Sequence, residues 1–387
     1  MTNPRTGPLQ DVTVIDLTRV LAGPFLTMML SDLGARVIKV EWPGKGDDAR
    51  HFGPFVNGES AYFATINRGK ESIALNLKDR DDQVILEKLI RKGDILVENF
   101  SAGTLDRLGY GWATLQRINP RLIYAAVSGF GHTGPYKDRP AYDLVVQGMG
   151  GVMSLTGSED MPPVRVGTSI GDITAGMFGL SGVLSALYDR ERTGKGMKVD
   201  VGMLDCQVAI LENAISRYFA ENVVPGPLGL RHPSITPFAG LKAKNGEYII
   251  IAAGNDSMFH RFCDAIGRKE LSTDPRFENN AGRTRHYRSL YSELEKSLEA
   301  KSASDWLEIF QNAGIPCGPI NNIEQVANDP HVAERNMIVT AQAKSGTQFK
   351  MPGNPIKFSG YDDADTRAGP PANDQDRETI LKWIMES

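Results

Sequence analysis

Cysteine and histidine are scarce in this sequence, and neither occurs in a metal-binding pattern. The three cysteines, Cys206, Cys263 and Cys317, are far apart and form no CxxC pair, so neither a disulfide framework nor a thiolate zinc site is indicated. The six histidines lack metal-ligand spacing, and HExxH and GxSxG motifs are missing, so no metal is predicted. Reduced thiols are typical of the cytosol.

Long hydrophobic runs and an excess of positive charge are also missing. The N-terminal stretch MTNPRTGPLQ has no apolar core of a signal peptide, and no run of about 18 apolar residues is present to span a bilayer. The formal net charge of -4 gives no support for nucleic-acid binding as the main activity. We therefore expect a soluble, cytoplasmic protein without a membrane or nucleic-acid partner.

The usual nucleotide-binding loops are missing as well. The first strand-to-helix turn, TRVLAGPF at 18–25, lacks the GxGxxG pattern that lets backbone amides approach a pyrophosphate. No GxxxxGK[ST] loop occurs, and the GKG at 194–196 follows a predicted helix, which is the wrong helix end for phosphate. A Rossmann-like pattern in this chain therefore does not imply NAD or ATP.

The sequence does contain a regular alternation of strand and helix patterns. Its 387 residues and 41% hydrophobic content are ample for a buried core. The predicted strands lie at 11–18, 36–43, 71–77, 94–100 and 121–130, and the predicted helices at 22–35 and 79–93. Apolar runs indicate the strands, and spacing and end signals indicate the helices. This order predicts an α/β fold with a mostly parallel sheet covered on both faces.

The second half of the chain is less regular. A helix reaching about Arg192 precedes a strand at 197–204, and one helix is predicted from Cys206 to about Asn222. The Pro- and Gly-rich stretch 223–238 is the candidate linker to a smaller α+β unit. The stretch from 325 to 360 is predicted to be irregular, and a final helix follows it.

A single carboxylate, Asp172, lies among small residues at the start of a predicted helix, in GTSIGDITAG (167–176). Aspartate is a favoured helix N-cap, which is the commoner use of such a residue. A carboxylate at a helix N-terminus is also stabilised as an anion, and it can attack an acyl carbon as a covalent nucleophile. The glycines that follow, Gly176, Gly179 and Gly182, indicate either tight packing or contact with a ligand.

Several longer stretches resemble one known family. VIDLTRVLAGP (14–24), DILVENFSAGTLDRLG (94–109), GDITAG (171–176) and RTGKGMKVDVGMLD (192–205) are similar to motifs of the class III CoA-transferases. This is the family of formyl-CoA:oxalate and carnitine CoA-transferases, and the resemblance covers nearly the whole chain. RHPSITPF (231–238) looks most like the acetyl-CoA:oxalate branch of the family.

The resemblance implies an activity and a mechanism. CoA would pass from acetyl-CoA or succinyl-CoA to a small carboxylic acid, expected to be oxalate. The family's catalytic aspartate matches Asp172, whose carboxylate would form a mixed anhydride and then an aspartyl-CoA thioester. This carboxylate is expected to stay ionised at the helix N-terminus. No permanently bound cofactor is implied, because the CoA thioester is a substrate.

The resemblance also implies contacts with CoA. The family's contact positions match Leu75, Lys78, Asn99, Phe100, Arg107, Tyr142 and Met203. Trp42 stands where formyl-CoA:oxalate transferase has an arginine near the adenine, and ring stacking could substitute for it. Without the resemblance, the apolar residues of this set would be read as core and the charged ones as solvated. Leu21 replaces an active-site glutamine and the glycine-rich lid has no counterpart, which disfavours formyl-CoA as the donor.

Family members are interlocked homodimers with a Rossmann-like large domain built from both chain ends and a smaller α+β domain. Carried over to this chain, the large domain covers 1–222 and 333–387 and the small domain 230–325, with linkers at 223–229 and 326–332. A homodimer is therefore the expected assembly.

Two alternatives stay open at this point. An α-methylacyl-CoA racemase-type isomerase shares the fold but needs a His-Asp pair. The matching triplet here is Ala141-Tyr142-Asp143, and tyrosine is a poor base near neutral pH. The other alternative is a non-catalytic CoA-binding protein, against which the intact Asp172 and its glycine setting argue.

Overall fold

The structure is a computed structural model that describes residues 6–386. Its strands are β1 (Thr13–Asp16), β2 (Arg36–Glu41), β3 (Phe55–Val56), β4 (Glu59–Ser60), β5 (Glu71–Ala74), β6 (Ile95–Glu98), β7 (Ile123–Ser128), β8 (Lys198–Gly202), β9 (Phe238–Lys242), β10 (Tyr248–Ala252), β11 (Cys317–Pro319), β12 (Ile338–Gln342), β13 (Gln348–Pro352) and β14 (Thr366–Ala368). Its helices are α1 (Ala22–Asp32), α2 (Ala61–Asn67), α3 (Arg80–Lys92), α4 (Thr104–Arg107), α5 (Trp112–Ile118), α6 (Asp143–Met149), α7 (Val152–Leu155), α8 (Ile170–Thr193), α9 (Met203–Ala209), α10 (Glu212–Glu221), α11 (Asp256–Ala265), α12 (Lys269–Ser272), α13 (Asn280–Arg285), α14 (Tyr287–Leu298), α15 (Ala303–Asn312), α16 (Ile323–Ala327), α17 (Pro330–Glu334) and α18 (Arg377–Met385).

Six strands form one sheet in the order β5-β2-β1-β6-β7-β8. Every neighbouring pair is parallel, and Val14 of β1 lies opposite Val37 of β2 and Ile95 of β6. Counted along the chain, these six strands have the order 3-2-1-4-5-6 of doubly wound dinucleotide-binding folds. The predicted mostly parallel sheet is confirmed, and its topological switch point lies between β1 and β6.

Helices cover both faces of this sheet. Because neighbouring residues of a strand point to opposite faces, Val14 enters one apolar cluster and Ile15 the other. The first cluster contains residues of α1 and α8, and the second contains residues of α3, α5 and α18. These helices cover the faces of the sheet and leave the ends of its strands uncovered.

Helix α8 is the crossover from β7 to β8, and it is unusually apolar. Among the helices of residues 6–386, it alone is long and apolar enough for a membrane span by length and composition, with a mean hydropathy of 1.4 over an 18-residue window. The helix contains polar residues such as Asp172 and Ser181, so it is not the continuous run of about 18 apolar residues whose absence the sequence predicts. Half of the window is buried inside the protein, and α8 packs on α1 and the sheet, as the core helix of a globular protein does.

The glycines of α8 allow this close packing. A Cβ at Gly176 would lie 2.9 Å from Phe25 Cδ1 and 3.0 Å from the Ala22 carbonyl oxygen of α1. Gly179 meets Leu26 of α1, and Gly182 meets Val199 of β8, in the same way. Of the two readings of these glycines, tight helix–helix and helix–sheet packing is the one that the structure shows.

The chain divides into two compact units. The first contains the residues up to 153, residues 165–223 and the residues from 330 onward, so it is built from both chain ends. The second contains residues 154–164 and 224–329. The division predicted from the sequence places residues 154–164 in the large domain, whereas in the structure they belong to the second unit. The second unit has the antiparallel sheet β11-β10-β9, packed around aromatic residues of α11 and α15.

Two sequence-based predictions of secondary structure are wrong. Cys206 to Asn222 is not one helix, because α9 ends at Ala209 and a positive φ of 29° at Glu212 breaks the helical path. The stretch from 325 to 360 is not irregular, because β12 and β13 form a hairpin in which Val339 lies opposite Met351. The available sequence signal was in β13, where apolar Phe349 and Met351 alternate with polar Gln348 and Lys350.

Candidate functional site

A cavity of about 350 Å³ opens at the carboxyl ends of β1, β2, β5 and β6; we call it the cleft. It is lined by Leu17, Thr18, Arg19, Val40, Glu41, Trp42, Lys45, Gly46, Asp47, Asp48, Leu75, Leu77, Lys78, Phe100, Thr104 and Leu108. These walls place the cleft at the switch point of the sheet, which is where doubly wound folds bind ligands. Its lining combines apolar side chains with three cations and three carboxylates.

The cleft brings together half of the residues that the resemblance implies for CoA. Trp42, Leu75, Lys78 and Phe100 all line it, although they are distant in sequence. Arg107 lies beside it, since its guanidinium donates to Thr104 Oγ1 at 2.8 Å and Thr104 is a wall residue. Trp42 is half exposed, so its ring face is available to a planar ligand.

Asn99 shapes the cleft through the backbone. Its side chain accepts from the Arg19 amide at 2.8 Å and donates to the Arg19 carbonyl at 2.7 Å. Val20, which follows Arg19, has a φ of 66°, a strained value for a β-branched side chain. The Val20 amide donates to Asp47 Oδ1. Asn99 and Asp47 together therefore hold the β1–α1 turn in a fixed conformation.

A buried ionic cluster supports this turn. Lys39 pairs with Asp47 at 2.9 Å, and Lys70 pairs with Asp16 at 3.0 Å, with all four side chains almost fully buried. Burial alone would raise the pKa of Asp16, but the Lys70 and Lys39 charges lower it to about 2. Burial dominates at Lys70 and lowers its pKa to about 8. Such a paired cluster fixes one local geometry, because removing one partner leaves a buried charge uncompensated.

Asp172 lies at the same edge of the sheet, in the first turn of α8. The N-cap position belongs to Ser169, and Asp172 is the third residue of the helix, so the N-cap reading of Asp172 is wrong. Burial, and then the nearby Asp143 charge, raise the pKa of Asp172 to about 7. The expectation of a carboxylate kept ionised by the helix N-terminus is therefore corrected, because these two effects outweigh the helix dipole.

Asp143 begins helix α6 and is tied to α8. Its Oδ1 accepts from the Gly171 amide at 2.8 Å, and its Oδ2 accepts from Gln147 Nε2 at 2.7 Å. The Gln147 Oε1 accepts from the Val166 amide at 2.9 Å. This network joins α6 to the segment that leads into Asp172.

Tyr62, on α2, belongs to the site and was missed by the sequence reasoning. Burial, followed by the charges of Asp172, Asp47 and Asp143, raises the pKa of Tyr62 to about 12. Because Asp47 lines the cleft, Tyr62 is within electrostatic reach of both the cleft and the Asp172–Asp143 pair. Nothing in the local sequence AYFATIN distinguishes this residue from an ordinary helical tyrosine.

Two implied CoA contacts lie outside the cleft. Tyr142 precedes α6 and is 74% exposed, and Met203 begins α9 and is buried in the core cluster of α1 and α8. The core reading therefore describes the position of Met203. A CoA contact by either residue stays a prediction.

The arrangement can perform acyl chemistry without a metal. Within residues 6–386, no group of three or more His, Cys, Asp or Glu side chains is placed to hold a metal ion. A carboxylate of raised pKa beside a second carboxylate is typical of catalytic positions. Asp172 can therefore serve as a nucleophile towards an activated acyl group or as a proton donor near neutral pH.

Comparisons with known proteins agree over nearly the whole chain. The sequence profile of CoA-transferase family III matches residues 9–377. The chain is 48% identical to the acetyl-CoA:oxalate CoA-transferase of Acetobacter aceti, over 97% of this chain and 95% of that protein. It is 38% identical to the succinyl-CoA:glutarate CoA-transferase of Mus musculus, over 98% and 86% respectively. A solved structure of a CaiB/BaiF family protein from Brucella suis matches with a TM-score of 0.85 at 37% identity, covering 98% of this chain and 99% of that one.

Proposed function

Since the chain belongs to CoA-transferase family III, we propose that it transfers CoA from an acyl-CoA to a small carboxylic acid through a covalent intermediate on Asp172. The observation that carries this proposal is the setting of Asp172, which lies in the first turn of α8, mostly buried and beside the Asp143 charge. Asp172 is not one of the residues that line the cleft. The charges of Asp172 and of the cleft residue Asp47 both raise the pKa of Tyr62, so Tyr62 lies within electrostatic range of both. The enzyme class follows from the family, and the residue roles are the proposal.

The reaction balances with one nucleophile. The Asp172 carboxylate attacks the thioester carbonyl, which forms a mixed anhydride and releases CoA thiolate. The thiolate attacks the aspartyl carbonyl and expels the donor acid, leaving an aspartyl-CoA thioester. The acceptor carboxylate then attacks this thioester, which expels CoA thiolate and forms a second mixed anhydride. The thiolate attacks the acceptor carbonyl of this anhydride, which forms the acceptor acyl-CoA and releases the Asp172 carboxylate. Each step only exchanges bonds at a carbonyl carbon, so no oxidant or metal is required.

The cleft is proposed to hold the CoA part of the substrate. The exposed Trp42 ring offers a stacking surface for adenine. Lys78 offers a charge for the phosphates, and Lys45 would have to leave its 2.7 Å ion pair with Asp48 to do the same. Phe100 and Leu75 supply apolar wall, and Asn99 contributes by fixing the Arg19 backbone rather than through a free amide.

Acetyl-CoA is proposed as the donor and oxalate as the acceptor, with succinyl-CoA as the alternative donor. The support is the 48% identity to a protein named as an acetyl-CoA:oxalate CoA-transferase. Glutarate enters the test because another relative is named as a succinyl-CoA:glutarate CoA-transferase.

A homodimer is part of the proposal. The outer side of α8 exposes Met177, Phe178 and Tyr188, and α10 exposes Phe219, and apolar surfaces of this kind mark interaction sites. The proposed partner of this surface is a second copy of the chain. Sedimentation equilibrium tests the proposed dimer, and a monomer at micromolar concentration would contradict it.

One experiment tests the nucleophile and the substrates together. The protein is mixed with acetyl-CoA or succinyl-CoA, trapped with hydroxylamine and analysed by mass spectrometry, while acyl-CoA products with oxalate, glutarate and other small acids are separated by HPLC. We expect a label on Asp172 and formation of oxalyl-CoA.

The matched control is Asp205, which is the third residue of α9 as Asp172 is of α8. Asp172→Ala should lose at least about 1,000-fold in turnover, while Asp205→Ala keeps both label and turnover. A labelled Asp172→Ala protein, or normal turnover by it, would rule out the nucleophile. No oxalyl-CoA from the wild type would remove oxalate alone.

A further inference from the structure

Gln147 is a fully buried amide with an unusual set of partners. Its residue is 0% exposed, so both ends of its amide need hydrogen bonds to offset the loss of water. The nitrogen donates to Asp143 Oδ2 at 2.7 Å, and the oxygen accepts from the Val166 amide at 2.9 Å. Neither the Asp143 carboxylate nor the Val166 amide belongs to the apolar core, so packing alone does not explain a glutamine at this position.

The same network closes on the helix that bears the proposed nucleophile. Asp143 uses its other oxygen to accept from the Gly171 amide at 2.8 Å. The approach is close, because a Cβ on Gly171 would lie 2.6 Å from Val146 Cγ2 and 3.0 Å from Asp143 Oδ1. Gln147 and Asp143 therefore clamp the chain at residues 166 and 171, on both sides of a segment that has little regular structure of its own.

We propose that Gln147 is a positioning residue for acyl transfer, which fixes the Asp143 carboxylate and the N-terminus of α8 so that Asp172 is presented to the thioester. The inference rests on the proposed role of Asp172. Gln147 touches no substrate in this scheme and acts only through Asp143 and the 166–171 backbone.

An electrostatic consequence distinguishes this role from ordinary packing. A donor on a carboxylate stabilises its negative charge, and the Asp143 charge is one of the two causes of the raised pKa of Asp172. The other titratable groups around the pair are Tyr62 on α2, which is influenced by both carboxylates, and Asp205 and Cys206 on α9. Only Asp143 among them acts on Asp172 to a resolved extent.

The test compares Gln147→Met with Gln207→Met. Gln207 is also 0% exposed and donates to Thr174 Oγ1 in the first turns of α8 at 3.0 Å, without contact to Asp143. For each protein, kcat, KM for the acyl-CoA and the pH dependence of Asp172 acylation are measured. Both substitutions place a methionine of similar size at a fully buried position. Gln147 loses two hydrogen bonds and Gln207 loses one, so a purely structural effect should appear in both.

We expect Gln147→Met to lower kcat about 10- to 100-fold, because small displacements of a nucleophile are costly, with KM changed by no more than about twofold. Gln207→Met should keep kcat within about twofold of the wild type, because its amide has no contact with Asp143.

Gln147→Glu provides a second, isosteric variant. It retains an acceptor for the Val166 amide, but the introduced carboxyl must carry a proton to donate to Asp143. Its rate relative to wild type should therefore decline as pH rises. The direction in which this relative rate changes with pH tests the positioning role of Gln147 even if the methionine variant fails to fold.

The outcomes separate this inference from the function on which it rests. If wild-type Asp172 is never labelled, the proposed function falls and the role of Gln147 falls with it. If wild-type Asp172 is labelled but the folded Gln147 variants keep wild-type kcat and pH profile, or if Gln207→Met shows the same changes, only the role of Gln147 is overturned.

Discussion

Replacing Asp172 by asparagine should make the folded protein more stable above neutral pH while abolishing transfer. In the folded protein, burial and the Asp143 charge raise the pKa of Asp172 from 3.8 to about 7. In the unfolded chain, this carboxyl returns to its ordinary value. The folded state therefore loses stability as the pH rises from about 4 to about 7, because the unfolded chain releases the proton more readily.

The magnitude follows from the size of the shift. A change from 3.8 to about 7 is roughly three units, and each unit corresponds to about 1.4 kcal/mol, so the ceiling is about 4 kcal/mol. Asp172 keeps partial contact with solvent, and local relaxation lowers the cost. We expect a measured gain of about 1–2 kcal/mol for Asp172→Asn at pH 8, which should decline towards zero at pH 4.

The assay is the difference in thermal unfolding midpoint between variant and wild type at equal concentration, measured from pH 5 to pH 8. Effects of asparagine that do not depend on pH cancel in this comparison. The control is Asp81→Asn, at an exposed aspartate in the first turn of α3, which should lose a few tenths of a kcal/mol from the helix dipole and gain nothing at high pH. A difference for Asp172→Asn that is flat or falls with pH would show that this carboxyl is not held at a raised pKa by burial and Asp143.

Two further predictions concern the cleft and the packing of α8. Trp42→Ala should raise KM for the acyl-CoA about 10-fold with little change in kcat, because a stacked aromatic is worth about 0.5–1.5 kcal/mol beyond its buried area; Tyr248→Ala, at another exposed aromatic, should change neither, and equal effects would remove the stacking role. Gly176→Ala should destabilise the fold by about 1–3 kcal/mol, since its Cβ would meet the Ala22 carbonyl oxygen at 3.0 Å. Gly148→Ala, in α6 with no atom closer than 3.7 Å, should instead gain about 0.5–1 kcal/mol, as urea unfolding can show; a neutral Gly176→Ala would contradict the close approach of α1 and α8.

Patterns that are local in sequence were read correctly. The helix α3 begins with Asp79 accepting from the Asp81 and Asp82 amides and ends at Gly93, as its end signals predict. The parallel order of the sheet follows from strand and helix alternation in the same way. The cleft walls Trp42, Leu75 and Phe100 were named through the family resemblance, and only the sheet order explains why they meet.

Features that depend on tertiary contacts could not be predicted from the sequence. Tyr62 enters the site because the fold brings it within electrostatic range of Asp172 and Asp143, and no local pattern reports such a tertiary proximity. The β12–β13 hairpin does not stand out in the sequence, because β13 ends in Pro352 and is followed by Gly353 and Pro355, and these residues signal loops. The break in the helical path at Glu212 could not be predicted, because no glycine or proline lies between Cys206 and Asn222.

The charge state of Asp172 shows how two local rules compete. A carboxylate in the first turn of a helix gains about 0.3–1 kcal/mol from the dipole, and up to about 2 kcal/mol when partly buried, which argues for a lowered pKa. Burial and the Asp143 carboxylate act in the opposite direction and raise the pKa to about 7. The direction of the shift shows which pair of effects is larger, although the sequence alone shows only the dipole. A nucleophile held in this way is less often ionised at neutral pH but is more basic when it is, and a fall in the rate of acylation below about pH 7 is the signature that the structure predicts.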